Sequence, residues 1–117
     1  MAAIDLSAIT TFPNAHTVAT ATTWQAFTIH DAAVAVTVHN EDASIDMRVA
    51  FDNMGAADAE QPADGGAVGT HRIVLGAGTS RKWDLRDRAR GSRLTTSVFV
   101  ASASGTPTVT VEQEFAG

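Results

Sequence analysis

The sequence predicts an all-β protein, a β-sandwich of jelly-roll or immunoglobulin-like type with about seven to eight short antiparallel strands. Three observations predict it. Apolar residues recur with a period of two rather than along a helical stripe, turn-forming clusters interrupt the chain every few residues, and the apolar set is rich in the β-branched residues that favour strands. A small barrel satisfies the same pattern. The chain has 117 residues, which suits a single domain with one core, taken here as residues 15–117 preceded by an N-terminal arm or first strand over 1–14.

The elements follow in order. Residues 1–14 carry Ile4, Leu6, Ile9 and Phe12 and close at Pro13-Asn14; they read as a first strand or core flap, or as an extended arm that packs on a neighbouring subunit. Residues 15–22 are Thr-rich, and 24–30 carry Trp24, Phe27 and Ile29. In 33–39, Val34, Val36 and Val38 face one way and Ala35, Thr37 and His39 the other; in 44–51, Ile45, Met47, Val49 and Phe51 oppose Ser44, Asp46, Arg48 and Ala50. Each alternation describes a strand with one buried and one wet face, and residues 40–43 join the two at hairpin length. Residues 70–75 end at Gly76-Ala77-Gly78, and 80–85 form a short strand. Residues 93–101 and 106–115 are the longest candidates, separated by a turn at Ser104-Gly105-Thr106-Pro107. The Ala/Asp/Gly-rich stretch 52–69 fits no strand and reads as a long loop, either a surface insertion or a functional segment.

Composition narrows the function classes. Hydrophobic residues make up 44% of the chain but are rich in Ala and Val and poor in aromatics, and alanine adds little buried area, so packing against copies or partners would add stability. There is no cysteine, which excludes disulfides and thiolate metal sites. The N-terminus lacks the basic start and unbroken apolar run of a signal peptide, and no run has the length of a membrane-spanning helix, so no membrane partner is expected. The net charge of −5 argues against nucleic acid as a general partner.

The residues offer little chemistry. His39, Glu41 and Asp42 sit in one polar knot, yet a single His without a second spaced ligand does not make a zinc site, and Asn40, Glu41, Asp42 and Asp46 do not match a calcium loop. Asn and Asp serve turns by bonding their own backbone, so the knot reads as a turn. The histidines at 16, 30, 39 and 71 are scattered. No nucleophile elbow and no phosphate-binding loop occurs, and Asp46, Asp52 and Glu112 read as carboxylates on wet strand faces rather than as a glycosidase pair. No catalytic residue, no metal and no cofactor is assigned, and the protein is expected not to be an enzyme.

The main functional feature is a charge asymmetry. Six of the eight basic residues (Arg81, Lys82, Arg86, Arg88, Arg90 and Arg93) fall within 81–93, opposed there only by Asp84 and Asp87. The segment reads as a docking element for an acidic protein surface, as a nucleic-acid contact with Trp83 as stacking platform, or as a solvated loop paired internally through its two aspartates. An acidic 52–64 loop on a second copy offers one such surface. Trp24 and Trp83 also admit a carbohydrate-binding reading, although each reads first as a core or strand-edge anchor.

The segment THRIVLGAGTSRKWDLRDRARGSRLTTSVFVASASGTPTVTVEQE resembles small β-sandwich structural proteins of tailed-bacteriophage virions. There a strand leads into a Gly-bearing turn (Gly76, Gly78), a short strand (Trp83 to Leu85), a longer strand, a Ser/Gly turn (Ser102 to Gly105) and a Thr/Val-rich last strand (Thr108 to Glu114). The resemblance is one of texture, extends over roughly 24–115 and rests on no single motif. It implies a virion component assembled in the host cytoplasm, with a head decoration or cement protein first. Such a protein forms homo-oligomers, often trimers, and bridges copies of the major capsid protein or other virion proteins. The basic run and the apolar residues Ile4, Leu6, Ile9 and Phe12 are the expected contacts. A neck, tail or fibre-base component, or a carbohydrate-binding or adhesin module, is the alternative.

Overall fold

The computed structural model describes residues 3–6, 15–30, 32–52, 62–70, 72–85 and 97–115. Among them lie nine strands: β1 (Ile4–Asp5), β2 (Ala15–Ala19), β3 (Gln25–Thr28), β4 (Ala33–Asn40), β5 (Met47–Phe51), β6 (Ile73–Leu75), β7 (Ser80–Asp84), β8 (Ser97–Ser102) and β9 (Thr108–Phe115). They form a five-stranded sheet, β1-β3-β8-β5-β6, packed on a four-stranded sheet, β2-β9-β4-β7. The antiparallel pairs β2·β9, β3·β8, β4·β7 and β5·β6 are those of one long hairpin rolled up on itself, so the sandwich is a jelly roll rather than immunoglobulin-like. Strand β1 adds to the five-stranded sheet parallel to β3.

Rolling the hairpin sends consecutive strands to alternate sheets, β5 and β6 excepted. The expected hairpin between 33–39 and 44–51 is therefore corrected. β4 pairs with β7 and β9, and β5 pairs with β6 and β8. The polar knot is an inter-sheet crossing. Asn40, buried at the end of β4, fixes it: its Nδ2 donates to the carbonyls of Ile45, Leu75 and Gly76 at 2.9, 3.2 and 3.1 Å. Gln113 ties another part of the sandwich in the same way. Its Oε1 accepts from the His30 N–H and its Nε2 donates to the Leu6 carbonyl. These buried amides satisfy backbone groups that no strand partner reaches, which is what the interior requires of polar atoms.

The main core lies between the sheets and is built from the alternating positions, including Phe27, Val36, Val38, Met47, Val49, Val98, Val100, Val109 and Val111. In β4 the expected face is shifted at one end. A bulge between Ala33 and Ala35 puts Ala33, not Val34, into the core. In β5 the expected wet face is also corrected, because Ala50 is fully buried. The outer side of the five-stranded sheet carries a second core of Trp24, Ala26, Ala50, Phe99 and Ala101. The three alanines leave a shallow floor on which the rings of Trp24 and Phe99 meet edge to face at 6.3 Å.

Part of the 52–69 stretch covers that floor. Ala67 bridges to Thr23, and Val68 packs on the cluster. The Trp24 N–H donates to the Gly66 carbonyl and the Gly65 N–H to the Trp24 carbonyl, while Asp64 Oδ1 accepts from the Ala26 N–H. Gly65 holds a φ of 77°, a left-handed turn that brings the segment back onto the sheet.

Candidate interaction surface

The basic run starts on β7, an edge strand of the four-stranded sheet. Its direction of hydrogen bonding can be read from its two ends. Asn40 N–H donates to the Thr79 carbonyl, and Leu85 N–H donates to the Val34 carbonyl. In an antiparallel ladder bonded pairs alternate. With Val36 opposite Trp83 and Val38 opposite Arg81, those two β7 residues point their backbone groups at β4. Ser80 and Lys82 therefore point theirs away from β4, to an edge that is open among the described residues. Side chains alternate as well: Ser80 and Lys82 stand on the outer face of the sheet, while Arg81 and Trp83 take the other side.

The Arg81 guanidinium lies 5.1 Å from the centre of the Trp83 ring, and that ring packs edge to face on Phe51 at 5.2 Å. Trp83 is thus a lid on the main core with a cation on it, which corrects the expectation of a free stacking platform for bases. Lys82 Nζ is 2.8 Å from Glu114 Oε2, with both side chains more than half exposed, so the pair contributes only about 0–1 kcal/mol. Arg86, Arg88, Arg90 and Arg93 lie outside the described residues, as do Ile9 and Phe12. Leu6 is corrected as a partner contact. It is 1% exposed and sits in the chain's own core, where its N–H donates to the Thr28 carbonyl. Ile4 packs against the same core from β1. Both have their apolar surface engaged within the chain.

The outer face of the four-stranded sheet is polar and ordered into cross-strand rows. Thr17 and Thr110 share a hydroxyl hydrogen bond of 2.8 Å, and Thr110 Oγ1 donates to Glu41 Oε1 at 3.0 Å. Beside them His39 bridges two strands: Nδ1 is 2.7 Å from Ser80 Oγ and Nε2 is 3.2 Å from Glu112 Oε1. No spacing in the sequence signals this line, because its three residues meet only when β4 takes β7 on one side and β9 on the other. Hydroxyl, imidazole and carboxylate in series have the order of a nucleophile, base and acid. Acyl transfer also needs donors aimed at a developing oxyanion. In a pleated sheet the backbone N–H groups lie in the sheet plane, so among the described residues those of β4, β7 and β9 do not rise from the face beside Ser80. The line is a cross-strand polar contact of the kind that stabilises sheets.

The remaining candidates are separated. Asp46 Oδ1 accepts from the Ala77 N–H at 3.1 Å beside the five-stranded sheet, whereas Glu112 belongs to the opposite face. In the polar knot Asp42 Oδ1 accepts from the N–H groups of Ser44 and Ile45 at 2.8 and 2.9 Å, and these bonds hold its carboxyl below the usual range. That is the behaviour of a turn aspartate. His16 packs on Phe27 and His30 on Phe115, while His71 is not among the described residues. Among the described residues no group of three or more His, Asp or Glu side chains gathers to hold a metal ion. Trp24 is 2% exposed in the second core and cannot present its face to a sugar. No family model, no curated protein and no solved structure matches the chain.

Proposed function

We propose that this chain is a non-enzymatic virion structural protein of a tailed bacteriophage, a capsid decoration or cement protein that stabilises the head by bridging capsid subunits. The observation that carries the reading is the jelly-roll strand order, an architecture used by viral capsid and lectin domains. Fold does not set function, so the choice between those classes rests on particular residues. A sugar-binding module stacks its ligand on exposed aromatic faces. Here Trp24 is buried under residues 62–70, and Trp83 lies between Phe51 and Arg81. The surface offers instead an edge strand bearing Arg81 and Lys82 that leads into the rest of the basic run.

The mechanism is stabilisation by many weak contacts. Each copy buries modest area on capsid subunits, and association into trimers multiplies the contacts into high avidity. The partner is the major capsid protein or another virion protein, and the site of action is the virion. The test is co-sedimentation with undecorated phage heads, together with light scattering of the free protein. Saturable binding that raises the heat resistance of the heads, lost on charge reversal at Arg86, Arg88 and Arg90, is the expected result. A strict monomer that ignores heads and binds in a glycan screen would replace this reading with a carbohydrate-binding module.

A further inference from the structure

We infer that the open edge of β7 binds an extended acidic segment of a different protein by strand addition, and that this segment carries two adjacent carboxylates. The inference deepens the reading of β7 as a contact surface, but it does not require the partner to be a capsid subunit.

The edge supplies the backbone half of the argument. The ladder to β4 uses the N–H and C=O groups of Arg81 and Trp83 and directs those of Ser80 and Lys82 away from the sheet. An exposed row of this kind is the template on which extended peptides add as a further strand. The side chains select what can add. Arg81 and Lys82 are both exposed and, being adjacent, project to opposite faces of the sheet. An added strand opposite them meets Arg81 on one of its faces and, on the other, Lys82, whose exposed contact with Glu114 at 2.8 Å contributes little and is exchanged for the incoming carboxylate. A carboxylate on one face alone answers one cation, whereas two consecutive acidic residues answer both.

Charge matching disposes of a second copy as occupant. β7 against β7 juxtaposes Arg81 and Lys82 with their own equivalents. The only adjacent acidic pair in the sequence is Glu41-Asp42. Its carboxylates are already engaged, Glu41 by the Thr110 hydroxyl and Asp42 by the Ser44 and Ile45 N–H groups of an inter-sheet crossing. The segment must come from another protein.

The probe is the peptide acetyl-Thr-Val-Glu-Glu-Val-Thr-amide, followed in amide NMR spectra of the full chain. Strand addition predicts saturable downfield shifts and slowed hydrogen exchange at the Ser80 and Lys82 amides, with the Arg81 and Trp83 amides unchanged in protection. The Gln-Gln peptide should leave all four unmoved. Lys82→Pro deletes one outward donor and no β4 bond, an arrangement edge strands tolerate, and should abolish the response while the remaining spectrum persists. Arg81→Glu/Lys82→Glu should transfer the response to a Lys-Lys peptide. Shifts without exchange protection would overturn strand addition, and equal response to the Gln-Gln peptide would overturn the charge selection. Protection that rises with protein concentration alone would make a second copy the occupant. An oligonucleotide that binds where the acidic peptide does not would make it a nucleic acid. Head binding with a silent peptide sinks this inference and spares the virion reading; a positive peptide result with no head binding does the reverse.

Discussion

The two outer faces of the sandwich have opposite fates. The four-stranded sheet presents threonines, His39, Glu112, Glu114 and Lys82, joined in cross-strand rows. The five-stranded sheet presents alanines and two large rings, and residues 62–70 lie over them. The difference comes from which residues occupy the outward positions. An alanine floor under Trp24 and Phe99 is a second apolar surface that must be buried, and the β5–β6 connection is long enough to return and bury it. A threonine and carboxylate face is satisfied by its own hydrogen bonds and stays bare. One chain of 117 residues thereby builds one and a half cores and keeps a polar side.

The largest effect that tests this contrast is Trp24→Ala. It removes the main ring of the second core, where truncation of a buried aromatic costs roughly 3–5 kcal/mol. Thr110→Ala on the bare face should change stability by no more than about 0.5 kcal/mol. Urea unfolding of both variants measures the contrast. A Trp24→Ala loss as small as that of Thr110→Ala would mean that residues 62–70 do not hold a core of their own.

Arg48 tests the margin of the covered face. In register it stands between Val74 and Ala101, one outward position from Ala50. Its Nε is buried without a hydrogen-bond partner. Unsatisfied buried donors cost about 1–3 kcal/mol. Arg48→Met keeps the stem and removes the donor, so it should raise stability, by about 1 kcal/mol, visible as a higher melting temperature. Val74, 57% exposed, is beyond the cover and should tolerate Thr with little change. A fall in stability for Arg48→Met would show that the guanidinium supports the cover rather than burdening it.

Gly65 tests how the cover is turned. A Cβ there meets nothing within 4 Å, so Gly65→Ala is penalised by its φ of 77° alone, about 1–2 kcal/mol. Gly69, equally open to a Cβ and without a positive φ, is the control, and Gly69→Ala should be neutral. Equal losses at both glycines would place the cost in the segment's packing instead of its turn.

These contrasts mark how far the sequence could be read. Period-two alternation located the strands, because Met47, Val49, Phe51, Val98, Val100, Val109 and Val111 at the inward positions of β5, β8 and β9 are β-branched or large. It could not say which strands pair. The hairpin expected between β4 and β5 has the right spacing, and what sends the strands to different sheets is Asn40 reaching the carbonyls of Ile45, Leu75 and Gly76, the last two 35 and 36 residues away. Alternation also treated Ala50 as wet, since an alanine opposite Val49 carries no sign of the cover that a distant segment provides. The basic run was legible as composition. The open edge under Arg81 and Lys82, and the row joining Ser80, His39 and Glu112, depend on register between strands remote in sequence.

The smallest effect concerns that row, and it decides whether the bare face is only a surface. His39 joins Ser80 and Glu112 across three strands, with His39 and Glu112 each more than a third exposed. Exposed pairs of this kind are screened by water and pay side-chain entropy, so each is worth about 0–1 kcal/mol. Glu112→Gln preserves an acceptor for the imidazole and should be within about 0.3 kcal/mol of the parent. A cycle of Glu112→Gln, His39→Gln and the double variant isolates the pair from any independent effect of either residue. A coupling near zero leaves the face as a bare, self-satisfied surface, the counterpart of the covered one. A coupling above about 1 kcal/mol would mean that the three strands hold His39 in a preorganised geometry. An unusually strong link of that kind on an open face would then require an explanation in binding rather than in folding.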